Sequence, residues 1–203
     1  MCLCSFDSLM KCAERIDKRS CFVYNEAENS CWRVIQMYLR RKVDAFLEEW
    51  KADKNRKPLI VKGSRQIGKT ESILHFAAAR YENVIEINFV RDEKYKGIIT
   101  DGYEAADIIK NISLIDPTKK FVPEKTLIFF DEITEFPEIA TSLKFFCIDG
   151  RFDVICSGSI LGVNYKKIES NSVGYKKDYE MFSMDFEAVS YTHLRAHETL
   201  RHL

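Results

Sequence analysis

Hydrophobic residues along this chain alternate between two spacings. Leu39, Val43, Phe46, Leu47 and Trp50 recur at helical intervals and predict a helix from about Leu39 to Ala52. A polar linker, Asp53–Pro58, leads into Pro58-Leu59-Ile60-Val61-Lys62, a short run rich in β-branched residues that reads as a strand. Helical spacing returns from Thr70 to Arg80, with Ile73, Leu74, Ala77 and Ala78 on the apolar side. Asn83–Phe89 alternates apolar and polar and predicts a second strand. Asp101, with Glu104 three residues on, has the form of a capping box, and Ala105, Ile108, Ile109 and Ile112 mark the helix behind it. That helix closes in the Asp116–Lys120 loop. Thr126–Phe130 is continuously apolar, as in a strand covered on both faces. After Pro137, the stripe Ile139, Ala140, Leu143, Phe146 and Cys147 predicts another helix. Asp149-Gly150 then turns the chain into a strand over Phe152–Ser159, and Tyr179–Phe186 supplies the last strand. Phe129-Phe130 and Phe145-Phe146 read as core residues rather than as a platform for bases.

Strands alternating with helices predict an α/β fold. The expected architecture is a three-layer sandwich around a mostly parallel, five-stranded sheet. With 203 residues, 46% of them hydrophobic, one globular domain with a sizeable core is expected. The 31 basic and 31 acidic side chains cancel, so no broad basic field marks a nucleic-acid surface. No apolar run reaches the length of a membrane span, and the N-terminus has no secretory h-region. A cytoplasmic location is the expectation.

Gly63-Ser64-Arg65-Gln66-Ile67-Gly68-Lys69-Thr70 meets every fixed position of the phosphate-binding pattern G-x-x-x-x-G-K-[ST]. Its predicted strand–loop–helix setting is the one this chemistry needs. Glycines let the backbone wrap a polyphosphate, and the N–H groups of the loop and helix end point at it. The binding segment therefore runs from Gly63 to Thr70 and on to Glu71. Lys69 adds a charge near the β- and γ-phosphates of ATP, and the Thr70 hydroxyl is a ligand for Mg²⁺. Asp131-Glu132 ends the apolar run at Phe130, where open α/β sheets bind ligands. Asp131 is the candidate second Mg²⁺ residue, direct or through water, and Glu132 the candidate base for the attacking water. Ser157 is the first choice for a γ-phosphate sensor and Ser159 the second. A polar strand end that caps the next turn remains the alternative for both.

These segments, with Cys156–Tyr165 and Tyr179–Glu187, resemble the bacterial and archaeal AAA+-type P-loop ATPases (AAA_14-like) in which a DUF4143 domain follows the ATPase core. The resemblance runs from about Met37 to Glu187. It implies a RecA-like strand order, with a strand inserted between the glycine-loop strand and the Asp131-Glu132 strand; the strand ending at Ser157 is the candidate. It implies Mg²⁺-dependent ATP hydrolysis and places the first helix near the adenine. Tyr38 or Arg41 could line that pocket, although packing or solvation is preferred for each. Two departures stand out. Ser172–Lys177 carries no arginine where relatives often have a Gly-Arg pair, and the sequence reads as a truncated fragment that is expected to lack the lid and DUF4143 domain. These leave open a nucleotide-gated switch with little turnover. A small-molecule phosphotransferase is a further alternative. Lys166-Lys167 and Lys176-Lys177 read as a solvated loop face in preference to a basic patch beside the nucleotide.

Both ends depart from this pattern. Cys2, Cys4, Cys12, Cys21 and Cys31 crowd residues 1–36 without a C-x-x-C pair or companion histidine, so no zinc site is expected there. Cys147 and Cys156 lie in apolar segments as small core residues. Residues 1–36 are expected to be upstream translation ahead of a start at Met37. Residues 190–203 resemble adapter read-through, and the three histidines from His193 onward are not taken as a metal site. The expected organisation is thus 1–36 extension, 37–189 ATPase core and 190–203 foreign tail.

Overall fold

The structure is a computed structural model that describes residues 21–25, 30–34, 38–159 and 174–183, the first two stretches as backbone only. The chain separates into two units, Met1–Leu39 and Arg40–Leu203. In the first, β1 (Cys21–Asn25) and β2 (Ser30–Val34) pair antiparallel. The start proposed at Met37 and the tail at 190–203 lie outside the described residues.

The second unit contains helix α1 (Lys42–Ala52), β3 (Leu59–Gly63), α2 (Lys69–Arg80), β4 (Asn83–Asn88), α3 (Ala105–Ile115), β5 (Thr126–Asp131), α4 (Ile139–Asp149), β6 (Asp153–Ser159) and β7 (Lys177–Met181). The sheet order is β4-β5-β6-β3-β7, and every pairing is parallel. The sheet is thus wholly parallel, and β6 is the strand inserted between β3 and β5, as expected.

Side-chain alternation on the strands builds two cores. Leu59, Val61, Leu127, Phe129 and Ile155 face α1 and α2, where they meet Val43, Leu47, Trp50, Ile73, Phe76 and Ala77. Ile60, Ile85, Ile87, Ile128, Phe130, Val154 and Cys156 face α3 and α4 on the other side. Both faces of the central strands are covered, which is why β5 is buried throughout and apolar from Leu127 to Phe130.

Local details differ from the sequence reading. Helix α1 starts at Lys42 rather than Leu39, because Arg41 is extended (φ −128°, ψ 162°) and caps it. The buried stripe of α2 is Lys69, Ser72, Ile73, Phe76 and Ala77, and Ala78 is exposed. Phe76 sets that rotation by packing edge-on against Trp50 and Tyr81 at 6.4 and 6.1 Å. No capping box forms at Asp101. Gly102 (φ 129°) turns the chain between Asp101 and Glu104, and α3 begins only at Ala105 with no side-chain cap. The last strand runs Lys177–Met181, earlier than expected, and the remainder of the predicted span beyond Ser183 is outside the described residues. Cys156 is fully buried and Cys147 half-buried.

Candidate functional site

The C-terminal ends of β3, β5 and β6 meet at one edge of the sheet. Gly63 ends β3 beside Ser159 of β6 and Met181 of β7. A Cβ on Gly63 would lie 2.5 Å from both the Met181 carbonyl oxygen and Ile67 Cδ1, so only glycine fits where the loop leaves the strand. The loop then turns through two left-handed residues, Gln66 (φ 62°) and Gly68 (φ 87°). Gly68 caps α2, and its carbonyl accepts from Ser72 N–H at 3.0 Å. The first-turn N–H groups of α2 are thereby presented at the sheet edge, with the positive end of the helix dipole behind them.

Ser64, Arg65 and Gln66 are exposed, and Ile67 is half-buried. Arg65 reaches across to Glu135 at 3.8 Å. Lys69 is only 4% exposed. Its ammonium donates to the carbonyls of Gly63 at 3.1 Å and Ser64 at 2.7 Å. Burial pushes its pKa down; the carboxylates of Glu132 and Asp131 pull it up, and Arg65 adds to the lowering. Glu71 is exposed in the first turn of α2.

Asp131 is the hub of the site. It is buried at the end of β5, 3% exposed, and three side-chain donors meet its carboxylate. The Thr70 hydroxyl donates to its carboxylate, at 3.1 Å from Oδ1 and 3.2 Å from Oδ2. Asn88 Nδ2 donates to Oδ2 at 2.8 Å, and the Ser157 hydroxyl donates to Oδ1. The register explains two of these contacts. Asn88 is the ladder partner of Asp131, and Ser157 follows the Phe130–Cys156 pair. Asn88 is itself oriented, since its Oδ1 accepts from Val90 N–H and Arg91 N–H at 3.0 and 2.9 Å. Glu132 follows in a left-handed conformation (φ 55°, ψ 50°) that a non-glycine residue holds only under constraint. One constraint is its N–H, which donates to Ser157 Oγ at 3.2 Å. Glu132 itself is half-buried at the rim.

All the sequence-predicted site residues therefore converge on this edge. Ser157 stands there with 0% exposure and a hydroxyl already used by both acids. The N–H of Ser159 donates to Thr134 Oγ1 at 3.1 Å. Asn88 is the residue that sequence reasoning missed. It reads only as a polar position in an alternating strand, and its register against Asp131 is what gives it a role. Lys176 and Lys177, by contrast, lie at the opposite edge of the sheet. Lys177 pairs in register with Leu59 at the start of β3, so the two lysines cannot form a patch beside the phosphate loop. Lys166-Lys167 lies outside the described residues.

With this geometry in place, the sequence can be set beside known families. The profile of the AAA domain (AAA_14) matches residues 55–190, well over half of the chain. The chain belongs to this AAA domain family. Its wholly parallel sheet and glycine loop are those of a nucleotide-binding, ATPase-type AAA module. Among solved structures, PCH-2 of C. elegans is similar at 15% identity and a TM-score of 0.38, over 70% of this chain and 41% of that one. No curated protein matches the AAA chain. Among the described residues, no helix is long and apolar enough to cross a membrane.

Proposed function

We propose that this AAA domain binds ATP with Mg²⁺ and hydrolyses it to ADP and phosphate. The observation that carries this reading is the junction of Thr70, at the helix end of the phosphate loop, with Asp131, at the end of a different strand. That junction brings the two residues suited to the metal together before any ligand arrives. The Thr70 hydroxyl spends its hydrogen on Asp131, which leaves its lone pairs for a cation. A hydroxyl, a carboxylate and water form an oxygen set suited to Mg²⁺. When bound, Mg²⁺ supplies charge neutralisation at the β- and γ-phosphates.

The protein residues divide the remaining work. The N–H groups from Ser64 to Thr70 hold phosphate oxygens, and Lys69 exchanges its carbonyl partners at Gly63 and Ser64 for them. Glu132, fixed at the rim, takes a proton from the attacking water. Ser157 and Asn88 hold Asp131 in place, and Ser157 also holds the Glu132 backbone. Catalysis on this plan is positioning and charge stabilisation. The finer kinship with ATPases that carry a DUF4143 domain rests on the Cys156–Tyr165 and Tyr179–Glu187 stretches and belongs to the same reading.

Calorimetric titration with Mg-ATP, with Lys69→Ala as control, tests the proposal. Binding by the wild type and its loss in the variant are expected. Equal affinity in both removes the central claim. Binding without phosphate release would favour the nucleotide-gated switch, to which the arginine-free Ser172–Lys177 segment points. Phosphate transfer to a small acceptor would instead identify a phosphotransferase.

A further inference from the structure

Arg41 stands outside the phosphate-binding pattern, yet it is built into the loop. Its backbone is pinned at the start of α1: its N–H donates to Asp44 Oδ2 at 2.6 Å, and its carbonyl accepts from Asp44 N–H at 3.0 Å. Its guanidinium then makes a fork. Nη1 donates to the Ile67 carbonyl in the loop, and Nη2 donates to the Phe182 carbonyl at 2.8 Å, just past β7. Nη1 also lies 3.3 Å from where a Cβ on Gly68 would sit, which places the charge against the Ile67-Gly68 peptide.

The peptide plane makes this contact consequential. The carbonyl of Ile67 and the N–H of Gly68 belong to one trans unit and point in opposite directions. A carbonyl turned outward to Arg41 turns the Gly68 N–H away from Arg41, toward the side of the loop where a phosphate would be held. We infer that Arg41 is a positioning residue for the phosphate loop. It fixes the Ile67-Gly68 peptide for anion binding and makes that setting depend on the end of β7. The second half of the fork matters because Met181 and Phe182 lead out of the sheet. Movement of that segment would withdraw the Phe182 carbonyl, unload one arm of the guanidinium and loosen the loop. Lysine cannot replace this arrangement, since a single ammonium lacks the planar fork that spans two carbonyls. The anion-binding half of the inference rests on the phosphate-loop reading proposed above; the mechanical link between loop and strand does not.

Two measurements on the full chain test it, each comparing wild type with Arg41→Lys and Arg41→Ala. The lysine variant keeps charge and length should the alanine variant fail to fold. The first is hydrogen exchange without nucleotide. Amides of residues 64–68 and 181–183 are expected to exchange about tenfold faster together in Arg41→Lys, with β4 and β5 unchanged. Unchanged exchange, or acceleration at only one of the two segments, overturns the linkage. The second is calorimetry with Mg-ATP and with magnesium tripolyphosphate. Both ligands are expected to weaken by the same factor, about tenfold for Arg41→Lys, because the loop amides are what changes. Weakening of ATP alone would mean that Arg41 touches the nucleoside, and the positioning role would fall. If the wild type binds neither ligand, the phosphate-loop reading fails, while the exchange data still decide the link to β7.

Discussion

Replacing Ser157 by alanine separates two roles, sensor and brace. A sensor would touch the γ-phosphate and contribute little without it. A brace would hold the acids whether or not ATP is present. The structure supports the brace: the Ser157 side chain is fully buried, donates to Asp131 and accepts from Glu132 N–H at 3.2 Å. A hydrogen bond to an ionised group contributes about 1.5–3 kcal/mol, and an unpaired buried N–H costs about 1–3 kcal/mol. Both figures fall toward their lower ends here. Asp131 keeps Asn88 at 2.8 Å and Thr70, and Glu132 is only half-buried. The expected loss is about 2–4 kcal/mol. For a chain of this size, each kcal/mol lowers Tm by about 2–4 °C, so Ser157→Ala should melt roughly 4–16 °C below wild type without any nucleotide. Thermal unfolding at neutral pH, followed by two optical probes, measures this directly, and a phosphate-release assay reads turnover on the same samples. A Tm within about 2 °C of wild type, together with a large loss of turnover, would refute the brace and return Ser157 to sensing.

Other perturbations probe different parts of the domain. Glu132→Gln should still bind Mg-ATP but lose at least about a hundredfold in turnover; wild-type phosphate release would assign the base elsewhere. Gly63→Ala drives a Cβ against the Met181 backbone and should cost about 1–3 kcal/mol in urea unfolding, whereas Gly97→Ala, where a Cβ meets nothing within 4 Å, should be nearly neutral. Asp153 tests acid lability at the far edge of the sheet. Burial pushes its carboxyl pKa up, but hydrogen bonds from Arg56 at 2.6 Å, Lys51 at 2.7 Å and Tyr81 at 2.7 Å outweigh this and leave it lowered. A carboxyl with a lowered folded pKa stabilises the protein above its unfolded value of about 3.9, and that stability is lost as pH falls through the folded value. The wild-type Tm should therefore fall more steeply than that of Asp153→Asn from pH 5 downward, and parallel curves would show that the cluster contributes no acid sensitivity.

How much of this was legible beforehand depends on whether local or long-range contacts decide each feature. The glycine loop and Asp131-Glu132 could be read because their chemistry is contiguous in sequence and their flanking strands are apolar. The strand over Phe152–Ser159 could be read from its apolar run, and its insertion between β3 and β5 came from the family resemblance. Phe76 was missed in favour of Ala78 because the rotation of α2 is set by Trp50 and Tyr81, which lie in other elements. Asn88 stayed silent for the same reason, and Arg41 was weighed only as a residue near the adenine. Each acquires its role from strand register or from a distant carbonyl, and neither leaves a local pattern. The capping box at Asp101 failed because one glycine between its two residues redirects the backbone.

The interior position of β3, between β6 and β7, carries a consequence for how the domain comes into being. Its neighbours in the sheet, β6 and β7, are both encoded roughly a hundred residues downstream, so the strand that launches the phosphate loop is made early and paired late. On the ribosome, Leu59-Ile60-Val61 would emerge as an unpaired apolar segment and wait until β6 and β7 have been made. Large loops must close before either pairing forms, which favours slow folding and a long window of exposure to chaperones. The nucleotide site would then be among the last features to assemble, and ATP, by binding only the finished edge, would draw the folding equilibrium forward.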